Sequence, residues 1–179
     1  MQKVILILCF AAFSAGIHAQ ESLTYSKVIQ TDDISKESVY NGLRAWFAVS
    51  MKDANKVLVM DDKDAGILIG NTGISYSKGI FLAGYDGWVE FTIQINIREG
   101  RFKVEIKNIS HKKRDTRAPV PDLGTITTGE CPHKGINKKP NQDVWDDIKN
   151  KMNILSEKLF DELESAAKSN ATGNSNDDW

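Results

Sequence analysis

The chain has little cysteine and no long apolar segment. Its 179 residues include two cysteines, Cys9 and Cys131, so a fold held together by several disulfides is excluded. The longest apolar run, Val4 to Phe13, is well short of the roughly 20 residues that a membrane-spanning helix needs. We therefore predict no transmembrane segment.

An excess of charge of one sign is also lacking. There are 23 lysine and arginine residues against 24 aspartate and glutamate residues. A strongly basic chain would indicate nucleic acid or an anionic surface as a general partner, and this balance indicates neither. All four prolines lie between residues 119 and 140, so the rest of the chain can form uninterrupted strands and helices.

The first nineteen residues have the pattern of a secretory signal peptide. Lys3 precedes the apolar run, and small residues lead to a cleavage site after Ala19. We predict an exported protein, periplasmic or secreted, that begins near Gln20 and has no nucleic acid partner. Cleavage would remove one basic residue and no acidic one, and it would leave Cys131 as the single cysteine. Residues 20–168 are enough for one domain with its own core.

Hydrophobic periodicity predicts a strand over 23–30 and a helix from Ser35 to Met51. Gly42 inside that helix costs about 1 kcal/mol relative to Ala, which indicates a close backbone approach. Short strands follow over 56–60 and 67–74, the second with two glycines that suggest a bulge or bend.

A β-hairpin is the clearest feature of the chain. Residues 89–98 alternate apolar and polar side chains, Glu99-Gly100 forms the turn, and Phe102 to Lys107 alternate again. The alternation slips at Asn108-Ile109, as a bulge or a strand end would produce. The hairpin therefore has one buried face and one solvated face.

The C-terminal part contains a long connection and a long helix. Residues 110–141 have no regular pattern apart from a possible edge strand at 124–128, and loops of this length are often functional. Residues 142–168 carry one continuous apolar stripe, which predicts a helix of about 40 Å. The tail, 169–179, is polar and predicted to be disordered.

The predicted element order is β-α-β-β-β-β-(β)-α. It defines an α+β fold in which one curved antiparallel sheet is packed on one face by helices. Three segments, SKESVYNGLRAWF (35–47), DAGILIG (64–70) and FTIQINIREGRFK (91–103), together with the signal peptide, resemble the domain of unknown function 4468 family. The resemblance implies an exported protein of Bacteroidetes-type bacteria with a fold like that of the TATA-box-binding protein and no assigned activity. A fold name does not imply DNA binding.

Two groups of residues are candidates for ligand binding. The first is aromatic and lies on a glycine-containing connection that could form the rim of a ligand site or cap the sheet core. The second is a basic run after His111 that could meet an anionic lipid or glycan, or could be a solvated loop. The aromatic residues are Tyr76, Phe81, Tyr85 and Trp88, and the basic residues are Lys112, Lys113, Arg114 and Arg117.

Cys131 and His133 raise the possibility of a thiol hydrolase, because an adjacent imidazolium activates a thiol. No orienting Asp or Asn can be identified for them, and with His111 they lack a fourth metal ligand, so we predict no catalytic residue, metal or cofactor. The leading hypothesis is a non-enzymatic binding module of the cell envelope with a protein, lipid or glycan partner. It uses the loop rims or the solvated sheet face, which is formed by Glu90, Thr92, Gln94, Asn96, Lys103, Glu105 and Lys107. A thiol hydrolase and a structural component that oligomerises are the alternatives, and the sequence leaves the oligomeric state open.

Overall fold

The computed structural model describes residues 20–51, 57–80, 83–114, 121–133 and 138–172. The predicted signal peptide and the end of the predicted tail, 173–179, lie outside these ranges. The elements are β1 (Tyr25–Gln30), α1 (Lys36–Ser50), β2 (Leu58–Asp62), β3 (Ile67–Tyr76), β4 (Gly79–Ile80), β5 (Ala83–Gly84), β6 (Gly87–Arg98), β7 (Arg101–Lys113), β8 (Gly124–Thr125) and α2 (Lys138–Thr172).

Six of the strands form one antiparallel sheet. Its order is β1-β7-β6-β3-β2, and β8 pairs with the far end of β7, on the same side as β1. Since β1 and β2 lie at opposite edges, the chain crosses the sheet between them, and it does so through α1. The small β4–β5 hairpin stands apart. The predicted α+β fold, a single antiparallel sheet with two helices, is confirmed.

Helix α1 forms where its capping residue and its apolar spacing predict it. The Ser35 hydroxyl accepts a hydrogen bond from the Ser38 backbone N–H at 3.2 Å, which satisfies one of the unpaired amides of the first turn. Val39, Leu43 and Phe47 are fully buried. A Cβ atom at Gly42 would lie 2.4 Å from the backbone oxygen of Ala166 in α2. The close approach predicted at Gly42 is confirmed, and it lets the two helices cross.

The sheet has an inner face under the helices and an outer face opposite to them. On β6, Ile93, Ile95 and Ile97 point inward and are at most 2% exposed. Gly70 faces Ile93 across β3 and β6, and a Cβ there would lie 2.6 Å from the Phe47 ring. β3 and β6 pair in continuous register, whereas the pairing of β2 with β3 shifts between Leu58 and Met60, opposite Gly70 and Ile69. The irregularity suggested for this segment therefore lies on its β2 side, and Gly70 makes room for an aromatic ring.

The slip of alternation at Asn108-Ile109 is a β-bulge. Thr92 pairs with Lys107 and Glu90 with Ser110, so two residues of β7 stand opposite one residue of β6. Asn108 has φ of 56°, a left-handed conformation that Asn tolerates better than most residues. One inserted residue exchanges the faces of everything beyond it. Beyond the bulge, Ile109 and His111 are therefore buried.

The described parts of the region 110–141 contain more regular structure than the sequence predicts, and β8 falls within the edge strand expected at 124–128. Strand β7 continues to Lys113 and β8 adds a short pair, so part of the predicted loop belongs to the sheet. Helix α2 spans Lys138–Thr172, and Pro140 is tolerated in its first turn, where a backbone N–H would have no partner within the helix. Its 35 residues correspond to about 52 Å. Trp145, Ile148 and Leu163 are fully buried against α1 and the inner face.

Candidate functional site

The outer face carries a network of polar side chains. Cross-strand pairing sets Thr92, Gln94 and Asn96 of β6 beside Lys107, Glu105 and Lys103 of β7, respectively. Lys107 Nζ donates to Gln94 Oε1 at 2.6 Å, and Lys103 pairs with Glu105 at 2.6 Å. The residues predicted to form a solvated face thus lie together, and they restrain one another's side chains.

The bulge adds Asn108 to this network. Its side-chain amide donates to Thr92 Oγ1 at 3.3 Å, and the Thr92 hydroxyl donates to Asn71 Oδ1 at 2.8 Å. The three residues form a relay that runs across β7, β6 and β3. Because each hydrogen bond polarises the next, such a chain holds its members in a defined orientation.

Trp88 and Lys112, which the sequence assigned to two separate candidate sites, are cross-strand partners on the outer face. Trp88 is 48% exposed. Lys112 Nζ lies 2.5 Å from Glu90 Oε2, and the bond to that carboxylate raises the pKa of Lys112. Trp88, Glu90 and the relay border a groove of about 740 Å³, the Trp88 groove. Its lining residues are Val57, Asn71, Thr72, Gly73, Trp88, Glu90, Phe91, Thr92, Asn108 and Ser110.

A second groove, of about 470 Å³, lies at the opposite end of the outer face beside the β6–β7 turn. Arg98, Arg101 and Lys103 line it together with Glu105 and apolar side chains such as Val28. Only Lys103 is ion-paired there among the described residues, so this groove carries positive charge. The two ends of the outer face therefore differ in charge.

Tyr76 and Tyr85 are buried, at 2% and 1% exposure, and each is hydrogen-bonded to a residue of α2. Tyr76 Oη donates to Asp147 Oδ2 at 2.8 Å, and Tyr85 Oη donates to Asn141 Oδ1 at 2.6 Å. Burial raises the Tyr76 pKa, and the bond to Asp147 adds to this effect. Burial raises the pKa of Asp147, but hydrogen bonds from Tyr76 and Lys151 outweigh it, so this carboxyl titrates below its usual range. These two aromatics are packed into the core, which agrees with the expectation that some of the group cap the sheet.

The described part of the basic run follows the end of an alternating strand. His111 points inward, where it is fully buried, whereas Lys112 points outward. Lys113 and Arg114 are exposed at the end of β7, and the Arg114 backbone N–H donates to the Asp86 carbonyl at 2.8 Å. Phe81 and Arg117 lie outside the described residues, and the binding roles of the exposed candidates stay predictions.

Cys131 is buried in the core at 2% exposure. Its backbone N–H donates to Gln142 Oε1 at 2.9 Å, and the His133 carbonyl accepts from the Asn141 side chain at 3.2 Å. These bonds fix the backbone ahead of α2, and burial opposes access of a substrate to the thiol. Within the described part of the chain, no group of three or more His, Cys, Asp or Glu side chains is arranged to hold a metal ion.

Sequence reasoning missed Asn71, Asn108 and Ser110 as members of the candidate site. Asn71 lies between two glycines of β3, and nothing in the sequence pattern of that strand marked it as a site residue. Asn108 had a signal, because the slip in alternation falls on it, and bulges often redirect a side chain next to a functional site. Ser110 reaches the outer face only because the bulge reverses the alternation.

The fold is that of the TBP-like proteins, named after the TATA-box-binding protein. A crystal structure of a TBP-like protein from Parabacteroides distasonis ATCC 8503 superposes with a TM-score of 0.60 at 16% identity, covering 82% of this chain and 93% of that one. A DUF4468 family protein from Bacteroides ovatus ATCC 8483 superposes with a TM-score of 0.57 at 16% identity, covering 84% and 89%. At this identity the likeness establishes the fold alone.

Residues 25–112 match the family model described as domain of unknown function (DUF4468) with TBP-like fold. This region, residues 25–112, belongs to the family, as the resemblance of its segments indicated. The matched region includes α1 and the strands from β1 to Lys112 of β7, and therefore the outer-face network. No curated protein matches the chain. Among the described residues, no helix is both long enough and apolar enough to cross a membrane.

Proposed function

We propose that the protein is an exported, non-enzymatic binding module of the cell envelope and that the outer face of its sheet is the binding surface. The observation that carries the proposal is the contrast between the two faces. Both helices cover the inner face, whereas the outer face is left open by the described residues and bears two grooves. Binding sites are concave and carry a few oriented polar groups.

The inner side offers little support for a carrier that holds a ligand between helix and sheet. Phe47, Trp145 and Leu163 fill that space and are fully buried. Side chains packed at crystal-like density leave little room for a guest molecule. The outer face, in contrast, has side chains whose positions are restrained by hydrogen bonds before any partner arrives, which reduces the entropy cost of binding.

Site-specific photo-crosslinking tests this proposal. A benzophenone amino acid replaces Gln94 at the centre of the outer face, and in a matched variant it replaces Val49, which is 86% exposed on α1. Both variants are exported and irradiated in the intact envelope. We expect a discrete adduct from position 94 that is absent from position 49. Adducts of equal yield from both positions, or none from position 94, would contradict the proposal.

One observation favours oligomerisation as a second candidate. Strand β2 pairs only with β3 among the described residues, and it exposes Val59 and Met60, at 59% and 45%. An apolar edge strand is a template for pairing with another chain. We expect sedimentation to show concentration-dependent association that Val59→Lys abolishes, and a monomer at every concentration would remove this candidate.

A further inference from the structure

The Trp88 groove combines an exposed aromatic ring with hydrogen-bonding groups that are not all used. Of the tryptophans in the described residues, Trp145 is fully buried and Trp46 packs partly against the core, whereas nearly half of Trp88 is exposed. An exposed indole offers a flat apolar surface with a polar N–H edge, and aromatic rings of this kind are frequent at binding surfaces. Trp88 is therefore the apolar platform of the groove.

The relay beside Trp88 ends in one unused donor and one unused acceptor. Asn108 donates to Thr92 and Thr92 donates to Asn71. Within the described residues, the Asn71 amide nitrogen and the Asn108 amide oxygen have no hydrogen-bond partner, and both residues are exposed and line the groove. An amide nitrogen donates and an amide oxygen accepts. A ligand whose groups both donate and accept would satisfy both ends.

Glu90 is the charged residue among the described side chains that line this groove, and an ion pair neutralises it. Glu90 and Lys112 are paired at 2.5 Å, and the other polar residues that border it, such as Asn71, Thr92 and Ser110, are uncharged. An unpaired charge attracts ligands of opposite charge and repels ligands of the same charge. Because the charge of Glu90 is paired, the groove favours neither an anionic nor a cationic ligand. The basic groove at the other end of the outer face provides the contrast.

We infer that the Trp88 groove binds an uncharged saccharide. This inference rests on the proposed function and names the ligand class of the same face. A pyranose ring has one face of C–H bonds, which can stack on the Trp88 indole. Its hydroxyl groups both donate and accept, and they match the two ends of the relay. The groove, at about 740 Å³, lies in the range of small-ligand sites.

The backbone conformation of Asn108 orients its amide at one end of the relay. A left-handed residue inside a strand is unfavourable and is retained where the surrounding structure requires it. Here φ of 56° accompanies the bulge that turns the Asn108 amide towards Thr92. A glycine at this position would adopt the same backbone without strain but would lack the amide. This difference provides a sharp test.

The test titrates the mature exported protein, uniformly labelled with ¹⁵N, with maltotetraose, cellotetraose, mannotetraose and chitotetraose. A heparin tetrasaccharide serves as the anionic comparison. At concentrations up to about 10 mM, a Kd of about 1 mM is detectable. We expect at least one neutral tetrasaccharide to shift the Trp88 indole signal and the Asn71 and Asn108 side-chain amide signals saturably. The heparin fragment should leave them unmoved.

Three variants give the expected effects on affinity. Trp88→Ala should weaken binding about tenfold, because the stacking surface is lost. Asn108→Gly should weaken binding severalfold while it leaves the thermal unfolding midpoint unchanged or raised. Ile154→Ala, which truncates an apolar residue of α2 that is 62% exposed, should leave the affinity unchanged. If Trp88→Ala were to unfold, Asn108→Gly would still decide the question.

The outcomes separate this inference from the proposed function. If no neutral saccharide moves the three signals, or if the shifts fall away from the groove, the inference is wrong. If no neutral saccharide moves these signals but the heparin fragment binds elsewhere on the outer face, or position 94 forms a crosslink with a protein, the saccharide assignment is wrong and the binding module stands. If no saccharide binds and position 94 gives no crosslink, both are wrong.

Discussion

The two faces of the same sheet are organised by different physical interactions. The inner face is apolar, and Ile93, Ile95 and Ile97 are buried beneath α1 and α2. The outer face is ordered by hydrogen bonds among side chains such as Gln94, Thr92 and Lys107. Burial of apolar surface stabilises the fold, whereas solvated hydrogen bonds contribute little net stability. The outer face is therefore able to vary for binding while the inner face maintains the fold.

The largest expected effect is the difference in stability between substitutions at two neighbouring residues on opposite faces of the sheet. Ile95→Ala removes buried methyl groups and leaves a cavity, so it should lower the free energy of unfolding by about 2–5 kcal/mol. Gln94→Ala, one residue earlier on the outer face, should lower it by about 1 kcal/mol or less. Urea unfolding of both variants measures the difference. Similar losses would show that the outer face also maintains the fold.

The second-largest expected effect is a loss of stability where α1 crosses α2. Gly42→Ala places a Cβ atom 2.4 Å from the Ala166 carbonyl oxygen, so α1 and α2 must move apart. This should lower the free energy of unfolding by about 1–3 kcal/mol, although Ala has a better helix propensity than Gly. Gly79→Ala is the control, because a Cβ there meets nothing within 4 Å. Thermal unfolding should separate the two variants. Equal midpoints would mean that the helices can part without loss.

A smaller effect concerns His111, which the bulge turns inward. Burial lowers its pKa, and Asp122 opposes this only in part. Between the lowered folded pKa and the unfolded value of about 6.5, the unfolded chain binds more protons, so stability rises with pH there. The stability that depends on neutral His111 is fully present above about pH 6.5. It is lost as the pH falls through the pKa of His111 in the folded protein.

Unfolding free energies measured from pH 7.5 to 5.5, about one unit either side of the unfolded His pKa, test this expectation. His111→Asn keeps an acceptor near the Leu123 backbone N–H, which bonds to Nδ1 at 3.5 Å, but it does not titrate. The variant should lose part of the pH dependence of the parent. If both proteins have the same slope, His111 does not contribute to it.

The smallest expected signal is alkylation of Cys131. Because the side chain is buried on the inner side, iodoacetamide should modify it only through transient opening of the fold. Val28→Cys in a Cys131→Ser background places a thiol at a position that is 51% exposed on the outer face, and it should react at the rate of an unfolded peptide. Mass spectrometry over time compares the two thiols. Rapid reaction of Cys131 near neutral pH would contradict this expectation and support the thiol hydrolase hypothesis.

Much of the fold could be predicted from local sequence pattern, but only part of the candidate site could. The strict alternation of 89–98, the cap at Ser35 and the apolar stripe of the last helix each predict an element that the structure contains. The sequence also placed Trp88 and Lys112 among the candidates. It assigned them to unrelated sites, and it included Tyr76 and Tyr85, which are buried.

The sequence by itself determined the element types, the order of the chain and which side of each strand is apolar, because these depend on spacing within a few residues. Only the tertiary structure decided which polar residues meet on the outer face. Without the bulge at Asn108, Trp88 would stand opposite His111 and Lys112 would point inward, since one inserted residue exchanges the faces of a strand. Register between distant segments is a property of the packed sheet, and that register created the Trp88 groove.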